Sequence, residues 1–120
     1  MAKLAPLGLL EAQWRFAQRL PLLLAHVSTL GLRCTLGEAW RPPETAALYA
    51  RQKRGSKTSL HLDRLAIDLN LFDADGRYLS TTEAHRPLGE FWEALDPYCR
   101  WGGRFNDGNH YSLTRDGRHA

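Results

Sequence analysis

The sequence predicts one small α+β domain, in which helices pack on an antiparallel sheet. Three observations predict this class: apolar residues near the N-terminus recur at helical spacing, the segment 64–72 alternates between apolar and polar residues, and the turn sequence DADG follows it. Hydrophobic residues make up 43% and charged residues 24% of the 120 residues, which indicates a folded globular protein rather than a disordered one. Residues 1–120 are therefore expected to form a single domain.

The first predicted element is an amphipathic helix over residues 7–30, whose apolar residues lie mostly three or four positions apart. Pro21 removes one backbone donor, so a kink or a break into two helices is expected there, and Gly31 ends the helix. The next segment, 32–41, mixes β-branched and apolar residues in partial alternation, which predicts a strand.

Pro42 and Pro43 end this strand and begin a second helix with the sequence ETAALYARQKR. A polar loop, RGSKTS, leads to the strand RLAIDLNLF. Its large aliphatic side chains are expected on one face: Leu65, Ile67, Leu69 and Leu71. The turn DADG and the segment RYLS complete a hairpin over residues 65–80, and a third helix follows and ends near Asp96. HYSL predicts a short last strand.

Charge, cysteine content and hydropathy exclude several classes of protein. The net charge of +3 favours anionic partners without choosing among them. Cys34 and Cys99 exclude a zinc ribbon or a dense disulfide framework and favour two buried thiols over one bridge. The basic run 51–57 lacks interleaved aromatic residues, so no nucleic-acid site is expected there. Since Glu11 interrupts the only early apolar run and no segment has about 20 apolar residues, neither a signal peptide nor stable membrane insertion is expected.

One histidine and one aspartate interrupt the apolar segment SLHLDRLAIDLN, residues 59–70. His61 and Asp68 are an odd number of positions apart and cannot share a face of one flat strand, so His61 is expected in the loop before the strand. A further histidine, His110, lies in the polar segment WGGRFNDGNHYSL. Two histidines and one carboxylate are the three protein ligands of a catalytic zinc site, which keeps a fourth position for water.

A zinc hydrolase also needs a base and a positive charge near the metal. Asp107, on the turn before His110, is placed to be that base, and Arg41, at the end of a strand, is a candidate to stabilise a developing oxyanion. A single histidine is more often structural than a ligand, so spacing by itself leaves the zinc site open. The remaining histidines are expected to be structural: His26, His85 and His119.

Three motifs, in order along the chain, resemble the zinc D-alanyl-D-alanine metallopeptidases, which include VanY-like carboxypeptidases and bacteriophage endolysins. SLHLDRLAIDL resembles the signature SxHxxxxAxD, WGGRFNDGNHYSL resembles the segment with the last ligand, and TLGEAWRPPE resembles the segment with an active-site arginine. The resemblance covers roughly residues 10–114. It implies a Zn²⁺ site at the sheet edge with three ligands: His61, Asp68 and His110. It also implies that Asp107 is the general base, that Arg41 stabilises substrate or oxyanion, and that Ser59 supports the histidine loop.

The function implied by this resemblance is that of an endolysin, a peptidoglycan L-alanyl-D-glutamate endopeptidase that causes host cell lysis. Asp107 favours this branch, because carboxypeptidase members usually carry glutamate in the base segment. The implied enzyme is a monomer that is made in the host cytoplasm and acts on the peptide stem in the periplasm or cell wall. A D-alanyl-D-alanine carboxypeptidase or dipeptidase and a non-catalytic wall-binding or phage structural module are the alternatives. Arg64 departs from the family, because many members have glycine there.

Overall fold

The structure, a computed structural model, describes residues 4–40, 42, 44, 45, 48, 51 and 60–115. The described elements with defined bounds are two α-helices, five strands and one short 3₁₀ segment. The helices are α1 (Leu9–Thr29) and α2 (Thr82–Leu95). The strands are β1 (Arg33–Leu36), β2 (Ala66–Phe72), β3 (Tyr78–Leu79), β4 (Cys99–Trp101) and β5 (His110–Leu113). Residues 44, 45, 48 and 51 are also helical and fall within the predicted second helix.

Among the described residues, the strands form one antiparallel sheet in the order β1-β2-β5-β4, and β3 pairs with β2. The first half of β2 pairs with β5 and its second half with β1, so β2 is the strand on which the sheet is built. The register places Asp68 opposite His110 and Ile67 opposite Tyr111. Since side chains alternate along a strand, these two pairs lie on opposite faces. The predicted α+β class is confirmed.

The face that carries Ile67 and Tyr111 packs against the helices. Tyr111 lies with its hydroxyl 2.8 Å from Nδ1 of His85 on α2, and its ring meets Trp92 edge to face. Trp92 in turn meets Phe16 of α1 at a centroid distance of 5.8 Å. The large aliphatic side chains of the β2 segment are buried here, as the alternation predicted: Leu65, Ile67, Leu69 and Leu71. Each such side chain stabilises the fold by about 1.5–3 kcal/mol.

Helix α1 runs through Pro21 without interruption, so the predicted break into two helices is wrong. A proline inside a helix removes one hydrogen bond and costs about 3 kcal/mol. Phe16 and Leu23 are buried on either side of Pro21 and hold both halves of the helix against the core. Tertiary packing therefore outweighs the local cost of the proline.

Strand β1 ends at Leu36, earlier than the predicted end at residue 41. Beyond it, the N–H of Gly37 donates to the carbonyl of Asp68 at 2.7 Å, and the N–H of Asp68 donates to the carbonyl of Glu38 at 2.9 Å. Two residues thus oppose one, which is the arrangement of a β-bulge. A Cβ atom on Gly37 would lie 3.0 Å from the carbonyl oxygen of Asp68, so this close approach favours glycine.

The hairpin and helix α2 follow the sequence prediction. The turn between β2 and β3 is stabilised by Asp73, whose Oδ1 accepts from the backbone N–H groups of Asp75 and Arg77, both at 2.9 Å. Thr81 caps α2 by accepting from the N–H of Ala84 at 3.2 Å. The chain therefore returns from the hairpin directly into α2.

Both cysteines are free thiols, as expected. Cys99 is buried as predicted, but Cys34 is only partly buried. Within the residues that the structure describes, neither α1 nor α2 is long and apolar enough to span a membrane.

Candidate metal centre

His61, Asp68 and His110 meet on the side of the sheet opposite Tyr111. One possible ligand atom from each residue lies within 4.8 Å of the others. His61 lies in the turn before β2, as expected from its spacing to Asp68, and both histidines are buried. The cluster lies where β1 ends and β5 begins. This position is more specific than the predicted one at the sheet edge.

Oδ1 of Asp68 is the common partner of the two imidazoles. Nε2 of His61 lies 3.4 Å from it and Nδ1 of His110 lies 3.3 Å from it. Both distances are long for charge-assisted hydrogen bonds, which are about 2.7–2.9 Å. They match the separation of about 3.3 Å between two ligands of a tetrahedral zinc ion whose bonds are about 2.0–2.1 Å long. The donor types and their spacing therefore fit a zinc ion.

The second ring nitrogen of His110, Nε2, is buried and has no hydrogen-bond partner in the described part of the chain. A buried polar atom without a partner costs about 1–3 kcal/mol. Such a cost is typical of residues that are kept for binding or catalysis rather than for stability.

The carboxylate of Asp68 is held in its ionised form. Burial alone would raise the pKa of Asp68, but hydrogen bonds and charge interactions with His110 and His61 together outweigh burial and lower this pKa to about 2. Asp68 therefore offers a negative charge to a cation at any pH well above that value.

Bound metal is expected to leave on acidification well before the pH reaches about 2, the pKa of Asp68. An imidazole binds a metal only in its neutral form, so protons displace the metal from His61 and His110 as the pH falls. Zinc retained after dialysis across a pH series measures this. Metal should be held at neutral pH and lost as the pH falls. Retention until Asp68 itself protonates would contradict the two imidazoles as ligands.

Asp107 lies on an exposed turn between a short 3₁₀ segment (Gly102–Phe105) and β5. Asn106 reverses the chain with a φ of 62°. The N–H of Asp107 donates to the carbonyl of Gly102 at 2.9 Å, and the carbonyl of Asp107 accepts from the N–H of His110 at 3.1 Å. Desolvation raises the pKa of Asp107. The charge of Asp68 also raises it, whereas the charges of His110 and His61 lower it. A carboxylate with a raised pKa beside possible metal ligands is suited to be a general base.

The two glycines of the WGG motif lack a Cβ atom, which leaves space for neighbouring groups of the protein itself. A Cβ atom on Gly103 would lie 2.1 Å from the ring of Trp101, and one on Gly102 would lie 2.3 Å from the carbonyl oxygen of Asp107. Nε1 of Trp101 donates to the carbonyl of Gly108 at 2.7 Å. The motif therefore packs the turn that carries Asp107 against the sheet.

The backbone of Arg64 explains why glycine is common at this position in the family that the sequence resembles. Its φ is 59°, in the left-handed region, where a side chain costs about 1–2 kcal/mol. Its guanidinium lies 4.8 Å from the ring centroid of Trp40, and a cation–π contact of this kind contributes about 0.5–1 kcal/mol. This contact offsets part of the strain and joins the turn of His61 to the segment after β1.

Replacing Arg64 with glycine is expected to leave the free energy of unfolding nearly unchanged, whereas Arg64→Ala should lower it by about 0.5–1 kcal/mol. Both variants lose the contact with Trp40, but only glycine also relieves the strained backbone, a gain partly cancelled by its greater freedom in the unfolded chain. Denaturant unfolding of the two variants measures the difference. A glycine variant less stable than the alanine variant would contradict a strained backbone here.

Several predicted residues lie outside this cluster or outside the described residues. Arg41, Ser59 and His119 belong to the second group, so their roles stay predictions.

His26 and His85 lie outside the cluster. His26 stacks on the ring of Phe91 on α2 at 3.9 Å, and His85 hydrogen-bonds to the hydroxyl of Tyr111 on β5. Both therefore have packing contacts away from the cluster, which agrees with the structural role expected for them.

Glu38 is a residue of the site that the sequence motifs do not single out. Its Oε1 lies 3.8 Å from Nδ1 of His61, and its backbone carbonyl accepts from the N–H of Asp68. The segment TLGEAWRPPE contains it, but only the register of this segment against β2 reveals the contact.

Solved structures match this chain in fold, whereas comparisons of the whole sequence find no match. No family model and no curated protein matches it. Among solved structures, the L-Ala D-Glu endopeptidase ChiX of Serratia marcescens matches with a TM-score of 0.69 and 18% identity, over 83% of this chain and 78% of ChiX. This chain has the fold of ChiX.

A variant of the vancomycin resistance D,D-pentapeptidase VanY, from a VanB-type resistance cassette and in complex with Zn(II), matches as well. Its TM-score is 0.54 at 19% identity, over 82% of this chain and 70% of VanY. The resemblance drawn from the three sequence motifs is therefore confirmed at the level of the fold. The ChiX-like sheet is also the frame that brings the His-Asp-His cluster together.

Proposed function

We propose that the protein is a zinc-dependent peptidase that hydrolyses the peptide stem of bacterial peptidoglycan. The observation that carries this proposal is the contact of one oxygen of Asp68 with two imidazole nitrogens at the ligand spacing of zinc. It occurs in a fold shared with ChiX, an L-Ala D-Glu endopeptidase, and with VanY, which was solved in complex with Zn(II). His61, Asp68 and His110 would hold the metal.

The remaining site residues have distinct roles in the proposed hydrolysis. A zinc ion held by these three residues would act as a Lewis acid and would activate water for attack at neutral pH. Asp107 accepts the proton of the attacking water and delivers it to the leaving amide nitrogen. Arg41 stabilises negative charge on the carbonyl oxygen of the substrate, and Ser59 supports the loop of His61. Backbone hydrogen bonds fix the turn of Asp107, and its carboxyl group has charge interactions with His110, Asp68 and His61.

The proposed scissile bond is that between L-alanine and D-glutamate. Two observations support it: the fold matches ChiX with a TM-score of 0.69 and VanY with 0.54, and the base position holds Asp107. The similarity to VanY supports a second candidate, a D-alanyl-D-alanine carboxypeptidase or dipeptidase. The two activities differ in the new termini that they produce.

Digestion of purified peptidoglycan, followed by mass spectrometry of the new termini, tests the proposal. An endopeptidase should release stems with a new N-terminal D-glutamate, and the zinc-free protein should release none. Release of D-alanine or of a D-alanyl-D-alanine dipeptide without new D-glutamyl termini would identify the second candidate. Binding to peptidoglycan with no cleavage by the zinc-loaded protein would indicate a non-catalytic module.

We further propose that the enzyme is an endolysin of phage or prophage origin, made in the host cytoplasm and active in the periplasm or cell wall. The net charge of +3 suits an anionic wall. Expression in a bacterial cytoplasm, with and without a pore-forming holin, tests this. Lysis should require both proteins, and lysis by the enzyme alone would contradict dependence on membrane opening.

A further inference from the structure

The short segment 37–40 contacts both residues of the ligand set that belong to the SLHLDRLAIDL motif. Gly37 and Glu38 exchange backbone hydrogen bonds with Asp68 at 2.7 and 2.9 Å. The carboxylate of Glu38 lies 3.8 Å from Nδ1 of His61, and Trp40 lies under the guanidinium of Arg64. One segment therefore fixes the backbone of one candidate ligand and faces the ring of the other.

The two nitrogens of His61 face different carboxylates. Nε2 is directed at Asp68, at 3.4 Å, and Nδ1 is directed at Glu38, at 3.8 Å. A nitrogen that binds a metal must present its lone pair, so a neutral His61 that binds through Nε2 carries its proton on Nδ1.

An ionised carboxylate can only accept, never donate, a hydrogen bond. With the proton on Nε2, the lone pair of Nδ1 would face the negative charge of Glu38, which is unfavourable. With the proton on Nδ1, an N–H group faces that charge. The carboxylate of Glu38 therefore favours the form of His61 in which Nε2 is free for the metal. At 3.8 Å the effect is that of a charge rather than of a short hydrogen bond.

We propose that Glu38 is a positioning residue that selects the Nδ1–H form of His61 and thereby sets the affinity of the site for zinc. The proposal deepens the proposed function and rests on the same metal site. Carboxylates behind metal-bound histidines are typically worth about 10–100-fold in metal affinity or activity. Glu38 acts through His61 and touches neither substrate nor the reacting water.

Zinc affinity and the form of His61 are measured in three variants: Glu38→Ala, Glu38→Gln and the control Glu90→Ala. Glu90 is an exposed carboxylate on α2, away from the cluster. Competition with a chromophoric chelator should show zinc binding about 10–100-fold weaker in Glu38→Ala and unchanged in Glu90→Ala. Glu38→Gln should lie between them, because its amide oxygen keeps a polar group near Nδ1 of His61 but carries no charge.

The nitrogen chemical shifts of the His61 ring, measured in the zinc-free protein, report which nitrogen carries the proton. In the zinc-free native protein Asp68, 3.4 Å from Nε2, competes with Glu38, 3.8 Å from Nδ1, for the ring proton, so both tautomers should be present. Glu38→Ala should shift the population towards the Nε2–H form. A variant that merely loses stability would not move this equilibrium, and thermal unfolding of the zinc-free proteins checks that the fold is kept.

Two results would overturn the proposal: zinc affinity of Glu38→Ala within twofold of the native value, or a ring of His61 with the same tautomer populations in both proteins. The zinc-free measurement also separates this proposal from the proposed function. A native protein that holds zinc but cleaves no peptidoglycan would defeat the proposed function alone. An unchanged tautomer in an active enzyme would defeat the role of Glu38 alone.

Discussion

His110→Ala should remove zinc binding and peptidoglycan hydrolysis together. The native protein is expected to hold one zinc ion. The variant should bind zinc more than about 100-fold more weakly, because loss of a residue that only supports a ligand already weakens binding by up to about 100-fold. The reason is geometric, because the variant removes one of two nitrogens that meet Oδ1 of Asp68 at zinc spacing. Metal analysis after gel filtration measures the zinc content, and release of stem peptides measures activity.

His26→Ala is the matched control, because His26 is also a histidine with an aromatic contact but lies outside the cluster. This control should keep zinc and activity. Circular dichroism of the zinc-free His110→Ala protein checks that the variant is folded. A folded variant that retains stoichiometric zinc would remove His110 from the ligand set and require another set of donors.

Asp107→Asn should lower the rate of hydrolysis by about 10²–10⁴-fold and leave zinc binding intact. The asparagine side chain has nearly the same shape but cannot accept a proton at neutral pH. Equal zinc content in both proteins, with a large difference in stem-peptide release, would assign Asp107 to proton transfer rather than to metal binding. Unchanged hydrolysis would contradict its role as the base.

The dependence of activity on pH provides a second test of Asp107. A base works only when it is deprotonated, so activity should rise with pH through the pKa of Asp107. Desolvation raises this pKa in the zinc-free protein, so Asp107 takes up its proton there at a higher pH than an aspartate of ordinary pKa. The part of the acid limb that belongs to Asp107 should be missing in Asp107→Asn. Loss of zinc at low pH is separated from it by measuring zinc content at each pH.

The local pattern of the sequence predicted β2, its turn and its two faces because side-chain alternation depends only on neighbouring residues. The grouping of His61, Asp68 and His110 was predicted from residue types and from motif order. One feature required the register itself. Glu38 reaches His61 only because the bulge after β1 places it opposite Asp68, and no spacing rule reveals this pairing.

Other departures arise where distant packing overrides local preference. Pro21 alone favours a break, yet Phe16 and Leu23 hold the helix together across it. Arg64 alone disfavours a left-handed backbone, yet its position over Trp40 supports one. In both cases the deciding contact is made with a residue that is distant in sequence or on another element. Local sequence patterns carry no information about such contacts.

The pairing of Asp68 with His110 joins residues 42 positions apart, on strands that meet only when the sheet is complete. An unfolded or half-folded chain therefore holds no complete set of three donors, and zinc has little affinity for it. By mass action, zinc at about 100 times its dissociation constant would then stabilise the native state by about 2.7 kcal/mol. The zinc ion proposed for hydrolysis would thus also stabilise the folded state, and a chelator would remove that stabilisation together with the proposed activity.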